Sequence, residues 1–155
     1  MTVVRVGARY LHIMDAKVPL LEHDTPYVHL SADTSEGLLM VRWKNYVPSG
    51  TYRATLDIAV QWTRDHHLHS FLTDQRRRGP ILREDELWIV NDWVPRMVAA
   101  GLLRAGIVQS PDFFNYTAVE RVMKTVLPTM PHPIMNFQTM EDALEWMTNG
   151  KEALV

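Results

Sequence analysis

From Leu38 onward, short apolar segments typical of β-strands alternate with longer segments of helical periodicity. Such alternation favours an α/β fold, in which successive strands lie parallel and a helix connects each strand to the next. The strand-like segments are residues 27–30, 38–43, 68–73, 105–109 and 134–137. We therefore predict a mixed, mostly parallel sheet of about five strands with helices packed on it.

Turn, capping and breaking residues mark the ends of these segments. Asp33–Gly37 has the composition of a turn, so the first two strands are predicted to form a hairpin. Ser49 is the predicted N-cap of the first helix, and Thr139 is the predicted N-cap of the last. Pro95 cannot donate a hydrogen bond to the carbonyl of Asn91, so the helix that contains it is predicted to kink or break.

Chain length and composition indicate one globular domain. The 155 residues can enclose a real core, and 46% hydrophobic with 22% charged residues is an ordinary globular balance. Residues 25–155 are predicted to form this domain. Residues 1–24 are predicted to be an N-terminal strand or arm, because Pro19 and the charged run Glu22-His23-Asp24 break any longer element.

Several classes of partner and site are disfavoured by composition. A net charge of -2 gives no bulk attraction to nucleic acid or anionic membrane, and the absence of cysteine excludes disulfides and thiolate chemistry. No apolar run approaches the roughly 20 residues that span a bilayer, and the N-terminus lacks the pattern of a signal peptide. We expect a cytoplasmic protein with no nucleic-acid partner and no membrane span.

The clearest candidate site lies within Phe71–Trp93, where an apolar strand ends in a carboxylate and leads through a basic loop into a helix. Open α/β sheets build their sites at the carboxyl ends of strands. Arginine offers forked donors to carboxylate or phosphate, and a helix N-terminus adds backbone donors. Asp74, Gln75, Arg76 and Arg77 are therefore predicted to contact an anionic or polar ligand or a partner.

A simpler alternative is a solvated loop. In it, the arginines at 76–78 pair with Glu84, Asp85 and Glu86 across the turn. The local charges nearly cancel, and exposed ion pairs of this kind are common and weak.

Aromatic side chains supply a second set of candidates. Trp93 falls on the Ile89–Trp93–Met97 stripe and is predicted to be core. Trp88 lies off that stripe and Phe113 follows a strand end, so each could line a ligand pocket or anchor an interface as well as fill the core.

Metal binding and nucleophilic catalysis have little support. Asp65, His66, His67 and His69 are close in sequence, but no fourth ligand is evident and a polar connector is the simpler interpretation. No Gly-x-Ser-x-Gly elbow and no glycine-rich phosphate loop occurs. We predict no catalytic residue, no metal and no cofactor.

Several short sequence segments, taken in their order along the chain, suggest a family. They are Val41–Pro48, Phe71–Arg76, Glu84–Ile89, Trp93–Arg96 and Phe137–Met147. Together they resemble the SpoIIAA-like, or STAS/SEC14-like, family of small bacterial proteins over about residues 27–147. The resemblance implies a mixed β-sheet with helices beside it. Within the broader group, STAS members serve as protein-interaction switches and SEC14-type relatives hold lipids.

The chain departs from that family at one functional position. The regulatory STAS switch uses a phosphorylatable serine at a helix N-terminus, just after the strand that here ends at Asp74. This chain has three arginines, Gly79 and Pro80 there, followed by acidic residues, with no serine or threonine. A partner-switching role would therefore require another mechanism.

Three functions remain open at the level of sequence. The first is a non-enzymatic STAS-like module that binds an unidentified protein partner and forms a homodimer through an apolar face. The second is a carrier of a small apolar ligand, such as a lipid, in a pocket between the sheet and the helix kinked at Pro95. The third is an enzyme that uses Asp74 as acid or base with Arg76 as an anion clamp, and it has the least support because the two residues define no reaction class.

Overall fold

The computed structural model describes residues 20–130 and 133–149. They form one six-stranded sheet whose strands follow each other in chain order from edge to edge. The strands are β1 (Leu20–Asp24), β2 (Val28–Asp33), β3 (Leu38–Trp43), β4 (Ser70–Asp74), β5 (Arg104–Val108) and β6 (Ile134–Phe137). The first three strands are antiparallel and β3 to β6 are parallel, which confirms the predicted mixed, mostly parallel α/β sheet.

The extra strand is β1, at one edge. The prediction that the charged run at 22–24 interrupts secondary structure is wrong, because Leu20–Asp24 pairs along its whole length with β2. Its charges are accommodated by partners on neighbouring strands or loops: Glu22 lies 2.6 Å from His29 Nε2, and Asp24 accepts a 2.6 Å hydrogen bond from Lys44. The rest of the predicted N-terminal arm, residues 1–19, lies outside the described residues.

Helices connect the parallel strands and extend beyond the last one. They are α1 (Ser49–His66), α2 (Arg83–Trp88), α3 (Val94–Ala100), α4 (Phe113–Val126) and α5 (Met140–Asn149). The predicted capping role of Ser49 is wrong: Pro48 occupies the N-cap position, and the Ser49 hydroxyl donates to Asp85 instead. Thr139 caps α5 as predicted, since its hydroxyl oxygen accepts a hydrogen bond from the amide of Asp142 at 3.1 Å.

The predicted kink near Pro95 takes the form of a π-helical turn. Residues Ile89–Trp93 form this turn between α2 and α3, and the amide of Val94 donates to the carbonyl of Ile89. The wider turn places Pro95 in the first turn of α3. Proline is tolerated there because its lack of an N–H group removes no intrahelical hydrogen bond. Gly101, with φ of 118°, then ends α3 in the left-handed conformation that glycine adopts without strain.

The two faces of the sheet are covered unequally. The larger core lies on the face where α1, the π-helical turn and α3 pack, with contributions from α4, and it contains the predicted core residue Trp93. On the opposite face, α5 packs over β4 and β5. Gly106 permits that approach, because a Cβ atom there would lie only 3.0 Å from Met147 Cε and 3.2 Å from Leu72 Cδ1.

Candidate functional site at the carboxyl ends of the parallel strands

The predicted site residue Asp74 is buried at the end of β4 and is held by its own loop. Its side chain accepts hydrogen bonds from Arg76 Nε at 2.9 Å and from Arg76 Nη2 at 2.7 Å. The backbone amide of Arg76 donates to the same carboxylate at 3.1 Å. These bonds raise the pKa of Arg76. Asp74 and Arg76 thus pair with each other, so a substrate in the enzymatic hypothesis would have to compete with this pair.

Gln75 is buried and links three parts of the fold. The backbone amide of Gln75 donates to the carbonyl of Val108 at 2.8 Å, and its side-chain nitrogen donates to the Thr73 hydroxyl at 2.9 Å. Asn115, on α4, donates to its side-chain oxygen at 3.3 Å. Gln75 was predicted to contact a ligand, and the structure places it in this internal network that fixes the loop after β4.

Arg77 and Arg78 are neighbours with opposite environments. Arg77 is exposed, whereas only 4% of Arg78 is accessible. The Arg78 guanidinium carbon lies 3.9 Å from the ring centroid of Tyr52 and 5.1 Å from that of Trp43. Among the described residues, its Nε and Nη1 atoms are buried without a hydrogen-bond partner. Burial lowers the pKa of Arg78, even though Tyr52 and Asp85 oppose that shift.

The two buried acidic residues of α2, Asp85 and Glu86, are paired with arginines that lie outside the basic loop. Asp85 accepts from Arg53 Nε at 2.9 Å and from the Ser49 hydroxyl at 2.7 Å. Glu86 accepts from Arg83 at 2.6 Å and from Arg121 at 2.8 and 3.0 Å. The bond from Arg121 is the main cause of a lowered pKa at Glu86. The solvated-loop alternative expected the loop arginines to take these carboxylates, and the structure differs.

A polar groove opens beside this loop. Its volume is about 590 Å³, and the described residues that line it are Pro26, Arg42, Trp43, Lys44, Asn45, Asp74, Arg76 and Arg77. Four of these side chains are cationic and one is a carboxylate already paired with Arg76. The groove therefore carries local positive charge although the whole chain is slightly acidic.

The start of α4 presents an aromatic pair to solvent. Phe113 is 69% exposed and Phe114 is 67% exposed, with ring centroids 5.7 Å apart in an edge-to-face arrangement. Asp112 is the N-cap of their helix, and its carboxylate accepts a hydrogen bond from the backbone amide of Asn115 at 2.8 Å. Of the two aromatic residues left open by the sequence, Phe113 is thus at the surface. Trp88 is half-buried, with guanidinium groups from Arg53 and Arg96 over its ring.

Hydrogen bonds join the loop after β4 to the start of α4. The Ser110 hydroxyl donates to the carbonyl of Arg78 at 2.9 Å, and the Asn115 side chain donates to the carbonyl of Gly79 at 2.9 Å. The basic loop and the aromatic pair consequently belong to one edge of the molecule. The loop and Phe113 could be identified from the sequence, but the burial of Arg78 and Asn115 could not. Nothing in a run of three arginines shows which one the fold will bury.

An apolar cavity lies inside the larger core, between the sheet and the helices that include the π-helical turn. Its volume is about 100 Å³. Its walls come from the sheet (including Phe71 and Ala105), from the π-helical turn and α3 (including Trp93) and from α4 (including Val122). This is where the carrier hypothesis placed a pocket, but the space is well below the roughly 300–1,000 Å³ usual for small-molecule sites.

Metal clusters and membrane-spanning helices are both absent from the described residues. Across residues 20–130 and 133–149, no group of three or more His, Cys, Asp or Glu side chains is arranged to hold a metal ion. No helix in the described part of the chain is long and apolar enough to cross a membrane. No protein-family model matches the chain, and no curated protein matches it.

Proposed function

We propose that the protein is a non-enzymatic, bacterial STAS-like binding module that acts through protein–protein contact at the carboxyl-end edge of its sheet. The observation that carries the proposal is the exposed pair Phe113 and Phe114, next to the basic loop. Large exposed aromatic groups beside arginine are the composition typical of interface anchors. Because the loop has no switch serine, contact with the partner would not depend on phosphorylation there.

The chemistry of the edge defines the partner. Covering one exposed phenylalanine contributes about 1.5–3 kcal/mol, so an apolar segment that covers both rings would contribute about 3–6 kcal/mol. The cationic groove next to the loop favours acidic side chains around that apolar segment, since complementary charge steers association. The expected partner surface is therefore an apolar strip flanked by Asp or Glu, on another protein or on a second copy of this chain.

The proposal is tested with the double variant Phe113→Ser/Phe114→Ser. Leu127→Ser is the matched control, because Leu127 is 43% exposed and follows the other end of α4. Sedimentation velocity over a concentration series should show a homodimer that the double variant loses and the control keeps. If the wild type is monomeric, the immobilised protein should retain a partner from an extract of its native cells. Equal retention by wild type and double variant would contradict the proposal.

A second candidate function, a small-ligand carrier, is favoured by the apolar cavity alone. A space of about 100 Å³ suits a ligand of a few heavy atoms and not a lipid chain. Native mass spectrometry of freshly purified protein should then show a retained small mass that organic extraction removes. Met97 is buried but does not line the cavity, so the informative substitution is Ala105→Val, with exposed Ala99→Val as control. A mass retained equally by both variants would argue against the cavity as its site.

A further inference from the structure

We propose that the buried guanidinium of Arg78 and the N-terminus of α1 form a binding site for a small oxyanion, such as a phosphate or carboxylate group. The site is separate from the aromatic pair on α4, so the test of oxyanion binding is independent of the test of the proposed protein contact. Its basis is a buried cation that the described residues do not pair with any anion.

The first step concerns the charge of Arg78. A buried charge is normally paired and hydrogen-bonded, because removing it from water is costly. Asp85 is the described carboxylate whose charge acts on Arg78, and it is already paired with Arg53. Arg78 therefore forms no ion pair with a described residue.

The second step concerns what the aromatic rings can supply. Tyr52 and Trp43 lie within cation–π distance of the guanidinium, and such contacts offset part of its desolvation. The ring faces attract the positive charge, but the N–H groups lie in the guanidinium plane and still need acceptors. The Nε and Nη1 atoms have none among the described residues. A small oxyanion would supply both an acceptor and the missing charge.

The third step places this cation beside a second positive feature. Tyr52, under the guanidinium, lies in the first turn of α1, an 18-residue helix. No side chain caps that N-terminus, and its first turn contains no acidic residue. Ser49, the first residue of α1, bonds to Asp85, whose charge Arg53 neutralises. The free amides and dipole of a helix N-terminus favour an anion, so the two features attract the same ligand.

The size of the ligand follows from burial. Only 4% of Arg78 is accessible, so a ligand could approach its guanidinium only with a compact group and not with an extended chain. A free oxyanion, or the terminal oxyanion group of a small metabolite, meets that limit. The shared chemistry is a negatively charged group with two or more oxygen acceptors, which matches the donors of a guanidinium and a helix N-terminus.

The test compares sodium phosphate and sodium acetate with sodium chloride at equal ionic strength. At about ten times its Kd, a bound oxyanion should stabilise the fold by about 1.4 kcal/mol and raise the wild-type Tm by about 3–6 °C over chloride. Arg78→Met should lose this rise, and Arg77→Met, with its exposed side chain, should keep it. A response to phosphate alone would assign a phosphate ligand, and a response to acetate alone would assign a carboxylate ligand. A response to both would assign a general oxyanion site, and a response to neither would overturn the proposal.

A second measurement covers the case in which Arg78→Met does not fold. In wild-type ¹H–¹⁵N spectra, the effective oxyanion should shift the Nε–H signal of Arg78 and the backbone amides of Gly50 and Thr51 in the first turn of α1. Shifts confined to exposed arginines, or an equal loss of the Tm response in Arg77→Met, would overturn the site.

Discussion

At the scale of single residues, three successive arginines lie in three different environments. Arg76 forms a two-bond pair with buried Asp74, Arg77 is exposed, and Arg78 lies buried over Tyr52. The same substitution should therefore have a different consequence at each position. Loss of partner binding can be separated from loss of stability only at Arg77, because its side chain has the exposed setting in which substitutions are usually mild.

Replacing Arg76 should destabilise the fold. Arg76→Ala removes two of the three hydrogen bonds to the Asp74 carboxylate and leaves a buried charge poorly paired. Because the Arg76 side chain is itself 48% exposed, we expect a moderate loss of about 1–3 kcal/mol in the free energy of unfolding. Urea denaturation measures it, with Arg77→Ala as a control expected to stay within about 0.5 kcal/mol. Equal effects of the two variants would contradict the different roles assigned to them.

Protonation of Glu86 should lower the free energy of unfolding at acid pH. Its pKa is lowered from the ordinary 4.5, first by the hydrogen bond from Arg121, so its contribution is complete above that value. The contribution disappears as the pH falls below 4.5 through the lowered folded-state pKa, because the unfolded state then binds the proton more readily. Glu86→Gln should flatten the fall of unfolding free energy in this range, measured by urea denaturation. Exposed Glu84→Gln is the control, and a slope unchanged in Glu86→Gln would refute the assignment.

The position of the candidate site could be predicted from sequence, but its internal geometry could not. An apolar strand that ends in Asp74 and leads through a turn into a helix predicts the edge at which a site lies. The burial and pairing of each arginine depend on residues that are distant in the sequence. Tyr52 is on α1, 26 positions before Arg78 in the numbering, and Arg53 and Arg121 take the acids that the local sequence offers to the loop.

At the scale of secondary structure, local patterns predicted the buried elements better than the edge. The segment 38–43 was predicted with the bounds that β3 has, since it is apolar and follows a clear turn. A strand or arm was predicted within residues 1–24, but β1 occupies the charged end of that range, where charge had been treated as a breaker. An edge strand tolerates such charges when residues of a neighbouring strand or loop pair with them. Here His29 pairs with Glu22 and Lys44 pairs with Asp24.

The π-helical turn should make Pro95 nearly neutral. In the interior of a continuous α-helix, proline costs about 3 kcal/mol, so its removal would stabilise the protein by that amount. Here the amide of Val94 already bonds to the carbonyl of Ile89, and Pro95 is the second residue of α3. Pro95→Ala should therefore change the free energy of unfolding by less than about 1 kcal/mol. Ala99→Pro, at an exposed position later in α3, should lose about 3 kcal/mol. Stabilisation of about 3 kcal/mol by Pro95→Ala would contradict this account.

At the scale of the whole molecule, the linear strand order and the unequal faces set a gradient of stability. Strands β3 and β4 each have a partner on both sides, whereas β6 pairs only with β5. The residues of β4 are all buried, but those of β6 are half-buried or exposed. The helix after β6, α5, packs through the smaller of the two core clusters. The β6–α5 unit should therefore open without the rest of the fold.

Native-state hydrogen exchange with increasing denaturant should resolve that gradient. Amides of β3 and β4 are expected to exchange only through global unfolding, with the full dependence on denaturant. Amides of β6 should exchange through a smaller opening that has a lower free energy and a weaker denaturant dependence, since it exposes less surface. Strand β5 is the internal control, because it keeps β4 as a partner when β6 leaves. Exchange of β6 and β4 with the same free energy and slope would show that the sheet unfolds as one cooperative unit and would refute a separate β6–α5 unit.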